Sequence, residues 1–486
     1  MNKGISFFLR RLFFCSLSGF ILSLAFPPFG FSQVAFIGFI PMLASARENR
    51  GDNFFFGIFT GLIFYSFSFF WLYKLAGFIY LLLALYLSIY WGIFLYTLYK
   101  LPPKGRIFLG AFIWFFLEII VSNLITGFPW LLLGLSQWQE FFLLKTARLC
   151  GIYGISFLVI LANLTFVNIF KKKYFYSSVV AILIFVAIFL ITPEKFYKAK
   201  PVGEINVMVV QPNIISENNV EPEQVLYLLK EMTLSNLEKE GATLVVWPEG
   251  SFSDVLEKYP ALVNDIKLLC NKYSLYILMG AFSTDDTNIY NSALLFGEDE
   301  LQVYNKNHLA PYGEFILGGR YSFVRNVFEK VAGYTPYITP GNELKLFSLN
   351  GHKIAPLVCF ENIFPDMTRE LNIKGAQVFL VITNDSWFGK SAGPYQHFAH
   401  NVMRATESGK YFIQASLTGV SGVISPEGKI VETIESDGKR IFVPGTLSFK
   451  APLKEGKTFY SRFGEVPLFL VGIFFIGMIL CRTTKN

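Results

Sequence analysis

The chain has 486 residues, which is longer than one ordinary domain core requires. Hydrophobic residues make up 53% of it, charged residues only 16%, and 54 residues are Phe, a composition typical of membrane proteins. The formal net charge of +7 does not indicate a nucleic-acid partner, because many Lys and Arg residues stand in short loops between apolar runs. The five cysteines show no paired spacing, so neither a disulfide framework nor a Cys-x-x-Cys site is predicted.

The apolar residues are unevenly distributed, which predicts two kinds of domain. Residues 1–193 are dense in Phe, Leu and Ile and predict a membrane domain with about seven transmembrane helices. Residues 203–450 have the composition of a soluble α/β domain, and residues 466–481 predict a C-terminal transmembrane helix. The predicted spans are 12–26, 34–46, 54–76, 79–99, 106–126, 154–170, 175–192 and 466–481.

The distribution of basic residues predicts how these eight spans are oriented. Basic residues cluster before the first span, in every second loop and after the last span. Eight spans with both chain ends in the cytoplasm satisfy the positive-inside rule throughout, which places residues 194–465 outside the cytoplasm. The clustered residues are Lys3, Arg10, Arg11, Arg47, Arg50, Lys100, Lys104, Arg106, Lys171, Lys172, Lys173, Arg482 and Lys485.

The first apolar run permits a second interpretation, a signal peptide cleaved after Ser23-Leu24-Ala25. A retained helix is favoured, because a hydrophobic series follows immediately.

The loop 127–153 is unusually aromatic for a short external loop. It holds Phe128-Pro129-Trp130 and Gly134-Leu135-Ser136-Gln137-Trp138, followed by Lys145 and Arg148. Two interpretations stay open: an aromatic belt with snorkelling basic side chains, or a surface for phospholipid headgroups.

Strand and helix patterns alternate after residue 203 and predict a layered α/β sandwich. A hairpin turn is expected at Gly297-Glu298-Asp299-Glu300. Residues 316–340 predict either an amphipathic arm or a plain surface helix. Helices are predicted over 221–240, 260–273 and 365–374, and strands over 204–211, 243–247, 275–282, 289–296, 301–305, 343–349, 353–358, 377–383, 411–416, 420–425 and 429–434.

Three of these strands are followed by a reactive side chain. Glu249, Lys306 and Cys359 stand at their ends, and Cys359 occupies a strand-to-helix turn, where a nucleophile is well exposed. Acyl transfer through a thioester needs a thiolate, a carboxylate that takes the thiol proton and a cation that stabilises the oxyanion. A lone Cys is more often a core residue, but the three groups together favour an enzyme. His308, beside Lys306, more naturally braces its loop than activates the thiol.

The same stretches resemble the Glu-Lys-Cys motifs of the nitrilase superfamily. A nitrilase-like domain set between seven spans and a final one resembles the apolipoprotein N-acyltransferase family, and the resemblance covers nearly the full chain. It implies an α-helical transmembrane domain plus an extracytoplasmic α/β nitrilase-like αββα sandwich. The stretches that carry it are Phe128-Pro129-Trp130, Gly134-Leu135-Ser136-Gln137, Val246-Trp247-Pro248-Glu249, Lys306-Asn307-His308-Leu309-Ala310-Pro311-Tyr312-Gly313-Glu314, Val358-Cys359-Phe360-Glu361, Thr383-Asn384-Asp385-Ser386-Trp387-Phe388-Gly389 and Arg404-Ala405-Thr406-Glu407.

The resemblance implies a role for each of five residues. Glu249 would be the general base, Lys306 the oxyanion stabiliser and Cys359 the nucleophile. Glu314 and Glu361 match supporting acidic positions of the family.

Candidate substrate-binding residues are Trp130, Phe360 and Trp387. Phe360 stands where a Tyr is more usual in the family, and Leu417-Thr418-Gly419 replaces the more usual Asn-Thr-Gly. No metal and no cofactor is expected.

The family's reaction moves a fatty acyl chain from a phospholipid to the α-amino group of the N-terminal diacylglyceryl-cysteine of an apolipoprotein. This is the last step of bacterial lipoprotein maturation, and the resemblance implies a ping-pong course through a Cys359 thioester. The implied partners are the phospholipid donor, the apolipoprotein acceptor and the lipid bilayer, without nucleic acid. The implied location is the bacterial inner membrane, with the catalytic domain in the periplasm.

Two other functions stay open. A membrane-tethered amidase or nitrile hydrolase would use the same triad on a soluble substrate. A receptor or transporter would need buried charges along its spans, and Glu118 is the one acidic residue deep within a predicted span. His397 and His400 are a weak metal candidate, because no Cys or carboxylate stands in helical register with them.

Overall fold

The computed structural model describes residues 3–170, 175–190, 199–215, 220–298, 300–332 and 335–483. Two compact units are present. The first, called the membrane unit, comprises Met1–Lys198, Ser391–Glu407 and Thr458–Asn486, and the second, called the sandwich unit, comprises Ala199–Lys390 and Ser408–Lys457. Some residues used above lie outside the described ranges, namely Lys171, Lys172, Lys173, Lys485, residues 191–192 of a predicted span, Asp299 of the predicted hairpin turn and residues 333–334 of the segment 316–340.

The helices alternate with short 3-10 turns in the membrane unit and with strands in the sandwich unit. In chain order they are α1 (Lys3–Ser23), α2 (Ile40–Ser45), α3 (Asp52–Ser68), α4 (Tyr73–Ala76), α5 (Tyr80–Leu98), α6 (Arg106–Asn123), α7 (Phe141–Phe170), α8 (Phe175–Leu190), α9 (Pro222–Glu240), α10 (Pro260–Tyr273), α11 (Ser322–Ala332), α12 (Pro365–Ile373), α13 (Gly393–Ser408), α14 (Phe459–Phe463) and α15 (Val466–Thr483).

Within the described residues, the strands all belong to the sandwich unit. In chain order they are β1 (Lys200–Gln211), β2 (Leu244–Val246), β3 (Phe252–Val255), β4 (Tyr276–Thr284), β5 (Ile289–Phe296), β6 (Leu301–Asn305), β7 (Phe347–Leu349), β8 (His352–Val358), β9 (Val378–Thr383), β10 (Phe412–Ser416), β11 (Gly422–Ile424), β12 (Ile430–Thr433) and β13 (Gly445–Glu455).

Four helical stretches among the described residues are long and apolar enough to cross a membrane, and these apolar helices fit a lipid bilayer. Shorter apolar helical stretches cover Ser32–Ser45 and Val466–Gly477. The eight-span topology and the domain boundaries stay predictions. The four long stretches are Gly4–Ser23, Phe70–Leu98, Arg106–Asn123 and Phe141–Phe170.

Glycines let α3 and α5 pack backbone to backbone. A Cβ added to Gly57 would lie 2.4 Å from the carbonyl oxygen of Trp91, and one added to Gly92 would lie 2.9 Å from that of Phe54. Small residues at such contacts allow apolar helices to approach closely without a hydrophobic driving force between them.

The sandwich unit contains two sheets whose strands contact each other through β4 and β9 and through β5 and β8. The first sheet has the strand order β13-β1-β2-β4-β5-β6, with β3 paired to β4, and the second has the order β12-β11-β10-β9-β8-β7. The pairs β1–β2, β2–β4, β8–β9 and β9–β10 are parallel. The predicted fold class, a helical membrane part plus an α/β sandwich, is confirmed.

Helices α9 and α10 cover one face of the first sheet. Each fully buried apolar side chain in this layer contributes roughly 1.5–3 kcal/mol relative to an exposed one. The indole N–H of Trp247 donates to Thr233 Oγ1 at 3.0 Å, which fixes the strand end that precedes Glu249. The buried side chains of the layer include Met208, Val225, Leu229, Val245, Ile266, Leu269 and Ile277.

The predicted strands that precede the reactive residues are confirmed at β2, β6 and β8. The strand predicted over 343–349 is wrong at its start, since β7 begins at Phe347. Strands β3 and β13 were not predicted. β13 contains Pro452, which lacks an N–H, and it lies at the edge of the first sheet, where a proline is tolerated.

Candidate active site

Cys359 stands directly after β8 as the first residue of the 3-10 turn Cys359–Ile363. Its φ is +51°, in the left-handed region that side chains other than glycine rarely adopt. A nucleophile on such a strained strand-to-helix turn projects from the end of the strand. The prediction that Cys359 follows a buried strand at a tight turn is therefore confirmed.

The surroundings of the Cys359 thiol favour its protonated form. Burial raises the pKa of this thiol well above its ordinary value, and the negative charge of Glu249 raises it further, against the opposing effect of the Lys306 ammonium. A nucleophilic role for Cys359 would therefore need a base that removes this proton, because the thiolate is the nucleophilic form.

Lys306 follows β6 and is only 1% exposed. Its Nζ lies 3.0 Å from Glu314 Oε1, 2.9 Å from Glu314 Oε2 and 3.6 Å from Glu249 Oε1. Burial alone would lower the pKa of this ammonium, but the two carboxylates raise it above its ordinary value. Lys306 is therefore a fixed positive charge inside the site.

Glu249 follows β2, and its carboxylate is oriented by neutral donors as well as by Lys306. The backbone N–H of Asn384 donates to Glu249 Oε2 at 2.8 Å, and Asn291 Nδ2 donates to Glu249 Oε1 at 2.8 Å. Held in this way, the carboxylate keeps one orientation in which to accept a proton.

Asn291 was missed by the sequence analysis. Its Nδ2 also donates to Glu314 Oε1 at 2.6 Å, and its backbone carbonyl accepts the N–H of Lys306 at 2.8 Å. One side chain on β5 thus holds both acidic groups that contact Lys306. The local sign in the sequence is weak: Asn291 and Ser292 interrupt the mainly apolar strand Ile289–Phe296.

Glu361 joins the turn of Cys359 to the loop after Lys306. Its Oε1 accepts the Tyr304 hydroxyl at 2.8 Å and the backbone N–H groups of Asn307 and His308 at 2.7 and 3.2 Å. Its Oε2 accepts the N–H of Val358 at 2.8 Å. Burial raises the pKa of Glu361 to about 7.

Phe360 is buried beside Cys359. Its ring centroid lies 5.3 Å from that of Phe364 and 5.9 Å from that of His308. His308 therefore packs in an aromatic group, which fits a bracing role. Trp387, on the 3-10 turn Asp385–Phe388, is 52% exposed.

Trp130 belongs to the membrane unit and is only 3% exposed. Its ring stacks on His397 with centroids 5.6 Å apart, and His400 Nε2 lies 2.9 Å from the Trp130 carbonyl oxygen. Burial and the nearby charge of Arg404 lower the pKa of His400 well below its ordinary value. Both imidazoles thus have packing partners inside this unit.

Glu118 is tied to its own unit. Its Oε1 accepts the indole N–H of Trp114 at 2.9 Å and the backbone N–H of Leu133 at 2.7 Å. The carboxylate thus holds the start of the 3-10 turn Leu133–Gln137. These bonds give it a structural role, which weakens the transporter hypothesis.

Known proteins match both parts of the chain. A carbon-nitrogen hydrolase family model matches residues 206–443, and the model of the apolipoprotein N-acyltransferase N-terminal domain matches residues 18–165. The chain is 30% identical to the apolipoprotein N-acyltransferase of Geobacter metallireducens over 93% of this chain and 91% of that protein. It is 32% identical to that of Wigglesworthia glossinidia brevipalpis over 81% of this chain and 79% of that protein.

Among solved structures, an amidase from Nesterenkonia sp. aligns with 56% of this chain and 97% of its own, at 20% identity and a TM-score of 0.41.

Proposed function

Because this chain belongs to the apolipoprotein N-acyltransferase family, we propose that it moves a fatty acyl chain from a phospholipid to a diacylglyceryl apolipoprotein through a thioester on Cys359. The observation that carries the proposal is the buried arrangement of Lys306 with two carboxylates beside a strained cysteine turn. It supplies a nucleophile, a base and a fixed cation at the ends of three strands.

In the first half-reaction, Glu249 removes the proton of the Cys359 thiol. The sulfur attacks the ester carbonyl carbon of the phospholipid, and the Lys306 ammonium donates a hydrogen bond to the oxyanion that forms. When the tetrahedral intermediate collapses, the C–O bond breaks, and Glu249 returns the proton to the oxygen of the departing lysophospholipid.

In the second half-reaction, the α-amino group of the apolipoprotein's diacylglyceryl-cysteine attacks the thioester carbonyl. Glu249 takes a proton from the attacking nitrogen, Lys306 again stabilises the oxyanion, and the C–S bond breaks. The thiolate recovers its proton from Glu249, so the enzyme returns to its starting state with an amide as product. Water must be kept from the thioester, because hydrolysis would waste the acyl group.

The remaining site residues support these steps. Glu314 and Asn291 hold Lys306 and Glu249 in place through the contacts given above. Glu361 aligns the cysteine turn with the lysine loop. We assign Phe360 and Trp387, which stand on the turns that follow β8 and β9, to the substrate-facing surface.

The chain is a membrane protein, and we further propose that it resides in the bacterial inner membrane with residues 194–465 in the periplasm. The support is the distribution of basic residues between the apolar segments. A cysteine introduced at Ser436 should react with an impermeant reagent when only the outer membrane is permeabilised. Labelling that requires a broken inner membrane would reverse this orientation.

The experiment that tests the proposed chemistry is mass spectrometry of the full-length protein in detergent after incubation with an acyl-labelled phospholipid. We expect a hydroxylamine-sensitive acyl adduct on Cys359 that is lost in Cys359→Ala. Cys270→Ala is the matched control, because Cys270 is a buried thiol of the same unit, in the core around α10. An adduct that persists in Cys359→Ala would refute the mechanism.

A further inference from the structure

Gln396 lies in the first turn of α13 and has no exposed surface. Its side-chain Oε1 accepts the indole N–H groups of Trp71 and Trp130, each at 3.0 Å. Its Nε2 donates to the backbone carbonyls of Pro27 and Ser68, each at 3.1 Å. All five residues belong to the membrane unit, so one amide joins α13 to three separate stretches of that unit.

The chemistry of this position calls for a primary amide. Such a group has two acceptor lone pairs and two N–H donors, and Gln396 uses all four. The indoles can only donate and the carbonyls can only accept, so the partners themselves determine which way the amide points. Glu lacks the donors, Met lacks both functions, and Asn is shorter by one methylene.

The amide sets the positions of two tryptophan rings. The ring centroids of Trp71 and Trp130 lie 5.5 Å apart, and Trp130 also stacks on Phe128 at 6.1 Å with an interplanar angle of 15°. Trp130 is 3% exposed, so its buried ring stabilises the loop 127–153 by packing inside the membrane unit.

We propose that Gln396 is a positioning residue for the phospholipid, acting through Trp71 and Trp130. This inference rests on the proposed function, in which a membrane lipid is the acyl donor. In the predicted topology, Pro27 and Trp130 lie just beyond the external ends of the spans 12–26 and 106–126, and Ser68 lies in the external half of the span 54–76. This is the side of the membrane from which that donor is taken up.

Gln396→Met keeps much of the side-chain length and removes all four hydrogen bonds. We expect kcat/KM for thioester formation from phospholipid to fall roughly ten- to a hundredfold, mainly through KM, because small displacements of positioning groups have effects of this order. The rate with a short, water-soluble ester should change by less than about twofold, since that substrate lacks the remote parts whose binding energy a phospholipid contributes.

Asn163→Leu is the matched control. Asn163 is equally buried in the membrane unit, and its amide makes three hydrogen bonds, all to backbone atoms of Phe39, Ala35 and Val159. We expect this variant to lower the melting temperature, as Gln396→Met does, but to leave KM for phospholipid unchanged.

A spectroscopic measurement separates positioning from stability. The chain has seven Trp residues, and 5-fluorotryptophan labelling reports each indole by fluorine NMR. The resonances of Trp71 and Trp130, assigned with Trp71→Phe and Trp130→Phe, should shift in Gln396→Met and stay in place in Asn163→Leu.

The inference is overturned if Gln396→Met and Asn163→Leu change KM for phospholipid to the same extent. It is also overturned if Gln396→Met slows the reactions of phospholipid and of the short ester equally. Should Gln396→Met fail to fold, Trp71→Phe removes one of the four bonds and keeps an aromatic ring. An unchanged KM for phospholipid in that variant also overturns the inference. A parent protein that forms no acyl adduct refutes the proposed function instead, while the fluorine shifts still report whether Gln396 holds both indoles.

Discussion

Lys306 and Glu314 form a buried ion pair in which Nζ lies 3.0 and 2.9 Å from the two carboxylate oxygens. Glu249 is the more distant acid, with its Oε1 3.6 Å from the same Nζ. A buried cation without a partner costs several kcal/mol, so Glu314 keeps Lys306 charged. Glu249 is thereby the acid that Lys306 holds less closely, and in the proposed mechanism it accepts the thiol proton.

Replacing Lys306 by Met tests whether its charge serves catalysis. The methionine keeps much of the apolar stem and removes the ammonium, and loss of one oxyanion donor typically costs about 2.7–4 kcal/mol, or roughly 10²–10³ in rate. We expect a fall of that size in thioester formation. Lys306→Arg should also be poor, because the planar guanidinium does not fit a site shaped for a point charge.

The control for this substitution is Lys410→Met. Lys410 is equally buried in the sandwich unit, but its Nζ donates to the backbone carbonyls of Lys454 and Gly456, each at 2.7 Å. It should lower the melting temperature without slowing acylation. Near-parental acylation by Lys306→Met would make Lys306 a structural residue.

Replacing Asn291 by Leu tests the amide that holds both acids. Leucine has a similar shape but cannot donate to Glu249 and Glu314, so both carboxylates lose a neutral partner. We expect acylation to slow by roughly ten- to a hundredfold, the effect of a small misplacement of catalytic groups. Single-turnover acylation rates measure this. Asn236→Leu on α9, whose amide donates to the Met232 carbonyl, should acylate at the parental rate. Equal rates for the two variants would remove Asn291 from the site.

The positions of the candidate catalytic residues at strand ends could be predicted from sequence because their signals are local. Glu249, Lys306 and Cys359 each follow a short apolar run, and a strand end exposes whatever residue comes next. Asn291 gave no such signal, because its role depends on β5 pairing with β6, which brings it to Lys306.

The environment of Trp130 could not be predicted for a similar reason. Its aromatic neighbours in sequence suggested a surface at the membrane boundary, and the structure instead buries the ring. The partner that accounts for this, Gln396, lies 266 positions along the chain. The sequence near Trp130 contains no pattern that indicates a contact with so distant a residue.

Glu361 gives a prediction about pH. Burial raises its pKa from the ordinary 4.5 to about 7. Between these values the folded protein binds more protons at this site than the unfolded chain, so the free energy of unfolding falls as pH rises from 4.5 to about 7. Glutamine does not titrate at this position. The melting temperature of Glu361→Gln minus that of the parent should therefore increase as the pH rises from 4.5 to about 7.

The measurement is the melting temperature of both proteins in detergent at a series of pH values. Glu432→Gln, at an exposed glutamate of β12, should follow the parent throughout. A constant difference between Glu361→Gln and the parent would mean that Glu361 does not titrate in this range.

The last prediction concerns α11, the helical part of the segment 316–340. Phe323 is 75% exposed, whereas Phe328 is half-buried and stacks on Tyr312 with ring centroids 6.0 Å apart. An exposed phenyl ring among basic residues is typical of a surface at a membrane boundary.

Phe323→Asp places a charge on that surface and should slow acylation by long-chain phospholipid while sparing a short soluble ester. Phe328→Asp also breaks the stack on Tyr312, so it should lower the melting temperature as well. Rates for both substrates and the melting temperature distinguish the cases. Equal losses on long and short substrates in Phe323→Asp would mean that α11 supports the active site, and no loss on either would make it an ordinary surface helix.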